Sequence, residues 1–281
     1  NGSFLFKVDG THKLIALETN PNCVIREVNN IFCRGERIYI VDNLAKSVFL
    51  YDLNGKFIDK IYSFGRAGNE YLDLTDVYVA EDQGIYILDN VKNKIFVYSK
   101  ECLYEKSIDI SDIWGHNVFV VDDNIYIVNK WSNTSCGRYR LFVLDMDGNI
   151  ISKQLSFAKR DLSRRYNSKS PYAISGKGTY ISFPSQNIVY ASDQSGLYEP
   201  WLELDFLEQS LPEEYELMDN PDILRQGLND KYMKAITLTT GTKMNGIIII
   251  GFKTIGIPKI IGSLILKIAG PIDKRPKVFN C

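Results

Sequence analysis

Two stretches of this chain are copies of one pattern. RIYIVDNLAKSVFLYDLNGKFIDKI (37–61) aligns with GIYILDNVKNKIFVYSKECLYEKSI (84–108) at an offset of 47 residues without a gap. Ile38/Ile85, Tyr39/Tyr86, Ile40/Ile87, Asp42/Asp89, Asn43/Asn90, Phe49/Phe96, Tyr51/Tyr98 and Ile61/Ile108 coincide. A third copy reads NIYIVNK (124–130) and LFVLDMDGNIISKQL (141–155), with a twelve-residue excursion NKWSNTSCGRYR (129–140) that begins within the first run. A fourth is TYISFPSQNIVYASDQSGLYEPWLELDF (179–206). Self-similarity at a period of about 40 to 55 residues marks an array of supersecondary units stacked on one another.

The local pattern says what the unit is. Short β-branched and aromatic runs are separated by turn dipeptides such as Asn54-Gly55 and Asp147-Gly148, which tolerate positive φ. Within IYILD and KIFVY both alternating sets of positions are apolar, so each strand must be covered on two sides. No amphipathic helix is legible between residues 24 and 155 to provide that cover. Sheets must cover sheets, and at this period the simplest result is an all-β propeller of four-stranded antiparallel blades. The repeats fall at about 25–61, 75–108, 116–155 and 172–206, within a propeller region of residues 1–236.

The loop GRAGNEY (65–71) has the glycines of a phosphate cradle. A dinucleotide fingerprint must open a helix, however, and a strand follows here, so the loop reads as the joint between two blades.

At these residues the chain resembles the six-bladed β-propeller proteins of Bacteroidetes, relatives of the NHL-repeat propellers. The resemblance rests on KLIALETNPN (13–22), IYIVDN, the GRAGNEY loop, IYILDN and the fourth repeat, and covers roughly residues 12 to 235. It implies an exported protein, periplasmic or on the cell surface and often lipid-anchored, with no assigned reaction. The chain starts at Asn1 without an export segment, so a leader and any lipid anchor would precede it. Residues 237–281 depart from the pattern: one acid, Asp273, stands against seven Lys and Arg, and no Tyr occurs although the chain has 17. That segment is expected to be an aberrant or shortened remainder of the propeller, loosely packed. Its Lys253, Lys259 and Lys267 interrupt any membrane span. Residues 207–235 read as one or two short helices in a blade connection.

Composition narrows the chemistry. A net charge of −1 gives no basis for nucleic-acid binding. Two histidines, His12 and His116, cannot build a His-rich metal centre. Five cysteines without a C-x-x-C pair read as small space-filling thiols, with a Cys23–Cys33 disulfide as the alternative. Asp42 and Asp89 recur once per repeat, which suits a structural duty in the turn. DMDGN (145–149) begins like a calcium loop but has Ser156 where the bidentate Glu belongs, so it reads as a hairpin turn.

Arginine and aromatic residues concentrate in loops that a propeller would place on one face. These are Arg66, Tyr71, Trp114, His116, Trp131, Arg138, Arg160 and Arg164. Aromatic faces stack on sugar rings and Arg forks grip carboxylates. The expected function is therefore recognition of a glycan or peptide-like ligand, or of a protein partner, without catalysis or cofactor. The alternative is a lactonase- or lyase-like enzyme with a metal such as Ca²⁺ in the central channel.

Overall fold

The computed structural model describes residues 15–130, 132–157, 171–175, 178–183, 188–192, 195–205, 233–239, 247–254, 260–267 and 277–280. Blade 1 consists of β1 (Asn30–Arg34), β2 (Arg37–Asp42), β3 (Ser47–Asp52) and β4 (Phe57–Ile61). Blade 2 consists of β5 (Asp76–Val79), β6 (Ile85–Asp89), β7 (Lys94–Tyr98) and β8 (Tyr104–Asp109). Blade 3 consists of β9 (Asn117–Val121), β10 (Asn124–Val128), β11 (Tyr139–Leu144) and β12 (Ile150–Ser156). Blade 4 consists of β13 (Tyr172–Ser175), β14 (Gly178–Ser182), β15 (Ile188–Ser192) and β16 (Glu199–Asp205). Each is an antiparallel meander in sequence order, and together they form a propeller; no helix occurs among the described residues. The four-stranded antiparallel blades of a propeller expected from the sequence are thus present.

The strands that are apolar on both faces are buried along their length: all of β6, and β2 and β7 apart from their first residues. The pleat of β2 shows how each face is used. Tyr39 and Val41 join the large core shared with blade 2, whereas Ile38 and Ile40 belong to a second cluster with Phe49, Tyr51 and Cys23. No sheet covers that second cluster among the described residues. Ile15, Leu17 and Ile25 of the leading segment pack on it instead, so a strap of non-strand chain does the work expected of a blade. The strap is tied down by Glu18 N–H to Gly55 O (2.7 Å) and by Tyr51 Oη to Cys23 O (3.3 Å). Gly55 is required there: its φ is +82°, and a Cβ would lie 2.0 Å from Ala16 O.

At the axis, rings fill the space. Phe32 of β1 meets Tyr78 of β5 edge-on at 6.0 Å, and Tyr78 meets Tyr172 of β13 at 6.3 Å. Tyr172 stacks on Phe119 of β9 at 4.5 Å, and Phe119 stacks on Tyr126 at 4.8 Å. One aromatic side chain from the innermost strand of each blade therefore contributes to a shared plug, and all are buried. Such pairs add about 0.5–1.5 kcal/mol each beyond the area they bury.

The C-terminal segment is not featureless. Its backbone forms β17 (Met233–Thr239), β18 (Ile247–Thr254) and β19 (Ile260–Lys267), a three-stranded antiparallel sheet, with β17 beside β13 and β14. A last strand, β20 (Lys277–Asn280), pairs in parallel with β16. The predicted helices of 207–235 fall outside the described residues except for 233–235, which open β17. The four described cysteines, Cys23, Cys33, Cys102 and Cys136, are unpaired, so the Cys23–Cys33 disulfide is not formed.

Candidate functional site

Strand alternation fixes which loops are neighbours. The turns joining the second and third strands of a blade lie on the same face as the connections between blades. The two-strand turns elsewhere lie opposite. On that opposite face Asp52 and Asp145 organise tight hairpins: each Oδ1 accepts two backbone N–H groups, from Asn54 and Lys56 in one and from Asp147 and Asn149 in the other. DMDGN is thus a turn, as the sequence suggests.

The connection-rich face is built on a repeated latch. Asp42 is fully buried; its Oδ2 accepts the N–H groups of Arg26 (2.6 Å) and Glu27 (3.1 Å) from the incoming segment, while Oδ1 accepts Ala45 N–H of its own turn (2.7 Å). Asp89 does the same for blade 2, with Leu72 N–H at 2.6 Å on one oxygen and Val91 (2.8 Å) and Lys92 (3.0 Å) on the other. The structural role read from recurrence is what these carboxylates perform. A second rung accompanies each latch. Asn43 N–H donates to Asn29 Oδ1, Asn90 N–H to Thr75 Oγ1, and Lys130 N–H to His116 Nδ1 (3.1 Å). His116 therefore occupies the place of Asn29 and Thr75. An imidazole whose Nδ1 accepts must be unprotonated there, and burial, reinforced by the Lys130 charge, lowers its pKa to about 4.

Blade 3 departs from this scheme. Asn129 replaces the latch aspartate, and its amide can both accept from Ser132 N–H (2.8 Å) and donate to Ser132 O (2.6 Å), closing the enlarged turn. Lys130 replaces Asn43 and Asn90, and it is buried. Its carbonyl receives Arg140 Nη1 at 2.6 Å, and that guanidinium lies between the rings of Phe157 (5.0 Å) and Phe183 (4.8 Å). Close by, Asp76 at the start of β5 accepts Val118 N–H (2.9 Å) and the Asn117 amide (3.1 Å), bridging blade 2 to blade 3. Burial raises the Asp76 carboxyl to about 6 against those two donors and the Lys130 charge. Burial also lowers the Lys130 ammonium to about 8, against the pull of Asp76. Sequence reading missed this acid–amine–imidazole group. The signal was available: Lys130 breaks the register of NIYIVNK against IYIVDN.

These shifts have a measurable consequence. Folded Lys130 releases its proton near pH 8, whereas an unfolded lysine holds it to about 10.4. The unfolded state binds more protons across that window, so stability rises with pH through it. Between pH 4 and 6, Asp76, raised, loses stability with pH while His116, lowered, gains it, and the two offset. Urea unfolding at pH 8 and pH 10 should show the wild type gaining about 2 kcal/mol on Lys130→Met. A difference that stays constant would mean that Lys130 titrates as an ordinary lysine.

The sequence-predicted residues fare unequally. Arg66, Trp114 and Arg138 are exposed on the connection-rich face, with Arg138 Nε donating to Asn133 Oδ1 (3.1 Å). His116 is half-buried in the second rung. Tyr71 is a correction: it is fully buried, its hydroxyl donates to Lys46 O (2.7 Å), and its ring cannot meet a ligand. Its loop is a joint, as expected. Glu70 Oε2 accepts Ala67 N–H within the loop, and Lys92 Nζ reaches the carbonyls of Ala67 and Glu70, both at 2.6 Å. Trp131, Arg160 and Arg164 lie outside the described residues. The structure adds two rings that the sequence reading passed over. Tyr62 (59% exposed) and Phe64 (46%) stand on the same face as Trp114 (44%). Among the described residues, no three His, Cys, Asp or Glu side chains group so as to hold a metal ion.

Comparison with known proteins follows the fold. The model of the family described as "Domain of unknown function (DUF4934)" matches residues 10–245. No curated protein matches the sequence. In structure, the chain is similar to a Bacteroides fragilis protein whose name proposes export, at a TM-score of 0.64 and 14% identity over 85% of this chain and 69% of that one. It is also similar to a member of the duf4221 family from Bacteroides vulgatus, with TM-score 0.56 and 9% identity over 91% and 86% of the two chains. At these identities the likeness concerns the fold alone.

Proposed function

The chain belongs to the DUF4934 family, and from that premise we propose that it is a non-catalytic β-propeller, exported to the periplasm or cell surface, that binds a glycan on its connection-rich face. Its whole ring would be the six-bladed, NHL-like one of the proteins it resembles. The observation that carries this reading is the set of solvent-exposed rings of Tyr62, Phe64 and Trp114 on the face that also holds exposed Arg66 and Arg138. Large exposed aromatics cost solvation unless a partner covers them, and sugar rings are suited to stacking on them. Arginine forks add bidentate contacts to carboxylates. An exported location supplies glycans as natural ligands, and the export named for the Bacteroides fragilis neighbour is consistent with it.

A screen of neutral and acidic oligosaccharides against the wild type and a Trp114→Ala, Arg66→Ala double variant tests the reading. Each lost contact is expected to weaken binding by about 1–2 kcal/mol, so the double variant should bind at least tenfold more weakly. Equal binding by both proteins would place the site elsewhere. Retention of a peptide in place of every sugar would assign the face to a protein partner.

A further inference from the structure

The connection-rich face of blade 1 carries an opening of its own. A cavity of about 380 Å³ lies between the leading strap, the β2–β3 turn and the end of β4. Arg26, Lys46 and Lys60 line it together with Leu44, Tyr62 and Phe64, and none of the described lining residues is acidic. Two of the cations are held in place, Lys46 from outside the cavity and Lys60 from its rim. Lys46 Nζ is paired with Asp73 (2.8 Å), and Lys60 Nζ donates one hydrogen bond to Asn22 O (2.9 Å), which leaves it two further donors. The apolar lining is uncovered: Leu44 is 62% exposed. Cations beside exposed apolar and aromatic side chains in one cavity match an anion with a flat or apolar body. The volume is at the lower end of that of small-molecule sites, enough for one or two rings.

We propose that this cavity binds a carboxylate carried on a ring-sized body, with Arg26 and Lys60 holding the carboxylate and Tyr62 and Phe64 covering the ring. The site deepens the proposed glycan reading, with which it shares Tyr62 and Phe64, while Trp114 and Arg66 do not line it. Two sources offer this chemistry, an acidic sugar and an aromatic carboxylate, and both can be titrated.

Calorimetric titration of the whole chain with digalacturonic acid, benzoate and the neutral digalactose provides the test. At least one of the two carboxylates should bind at least tenfold more tightly than digalactose, and which one does identifies the source. Arg26→Gln and Lys60→Gln should each weaken that binding at least fivefold, without a change in melting temperature. Trp114→Ala with Arg66→Ala, which weakens oligosaccharides long enough to span the face, should leave binding of these one- and two-ring probes unchanged. Binding of digalactose as tight as that of both acids, or undiminished binding by the Arg26 and Lys60 variants, would overturn the proposal. So would parallel loss in the Trp114, Arg66 variant, which would assign the signal to the other site.

Discussion

Replacing Phe119 by alanine is expected to lower the unfolding free energy by about 4 kcal/mol, the range for emptying a large aromatic side chain from a packed core. Phe119 is fully buried, and it touches rings from its own blade and from blade 4. Tyr172, its partner at 4.5 Å, also meets Tyr78 of blade 2, so the lost ring would loosen contacts among three blades at once. Urea unfolding followed by tyrosine and tryptophan fluorescence measures the loss. A cost below about 1.5 kcal/mol would show that the plug does not hold the blades together. Phe119→Leu, which keeps most of the volume, should recover more than half of the difference.

The second large effect belongs to Asp89. Alanine there leaves the N–H groups of Leu72, Val91 and Lys92 without their acceptor beside a buried position. An unsatisfied buried donor costs about 1–3 kcal/mol, and water can reach some of the three, so a total near 3 kcal/mol is expected. Asparagine keeps one acceptor oxygen and should cost about half as much. Because Leu72 follows the GRAGNEY joint, the loss should also raise amide exchange across residues 65–72 before global unfolding. Identical exchange in the wild type and Asp89→Ala would refute the latch.

Much of this was legible in the sequence. The ungapped repeat and the strands apolar on both faces fix the blade period and the burial of β2, β6 and β7. Recurrence of Asp42 and Asp89 pointed to a structural duty in the turn, since a catalytic residue has no reason to return once per blade, but not to their grip on the incoming segments. What escaped was set by contacts between segments distant in the chain. Tyr71 looked like a loop aromatic, yet its hydroxyl reaches Lys46 O across 25 residues of sequence and the ring follows it inward. His116 looked like a candidate contact, and only the register of the incoming segments shows it replacing Asn29 and Thr75. Asp76 and Lys130 meet at a blade junction, where a one-dimensional reading has no sight of either neighbour. The strap of residues 15–25 was hidden because its apolar residues follow no strand or helix period.

The central claim is that a ligand lies on the face holding Tyr62, Phe64, Arg66, Trp114 and Arg138. Hydrogen exchange of backbone amides, with and without a saturating acidic oligosaccharide retained in the screen, tests it most directly. Protection is predicted at residues 62–70, 111–116 and 132–138, with no change in the opposite turns at 53–56, 99–103 and 145–149. Protection confined to those opposite turns, or absent from the connection-rich face while the ligand is bound, would contradict it.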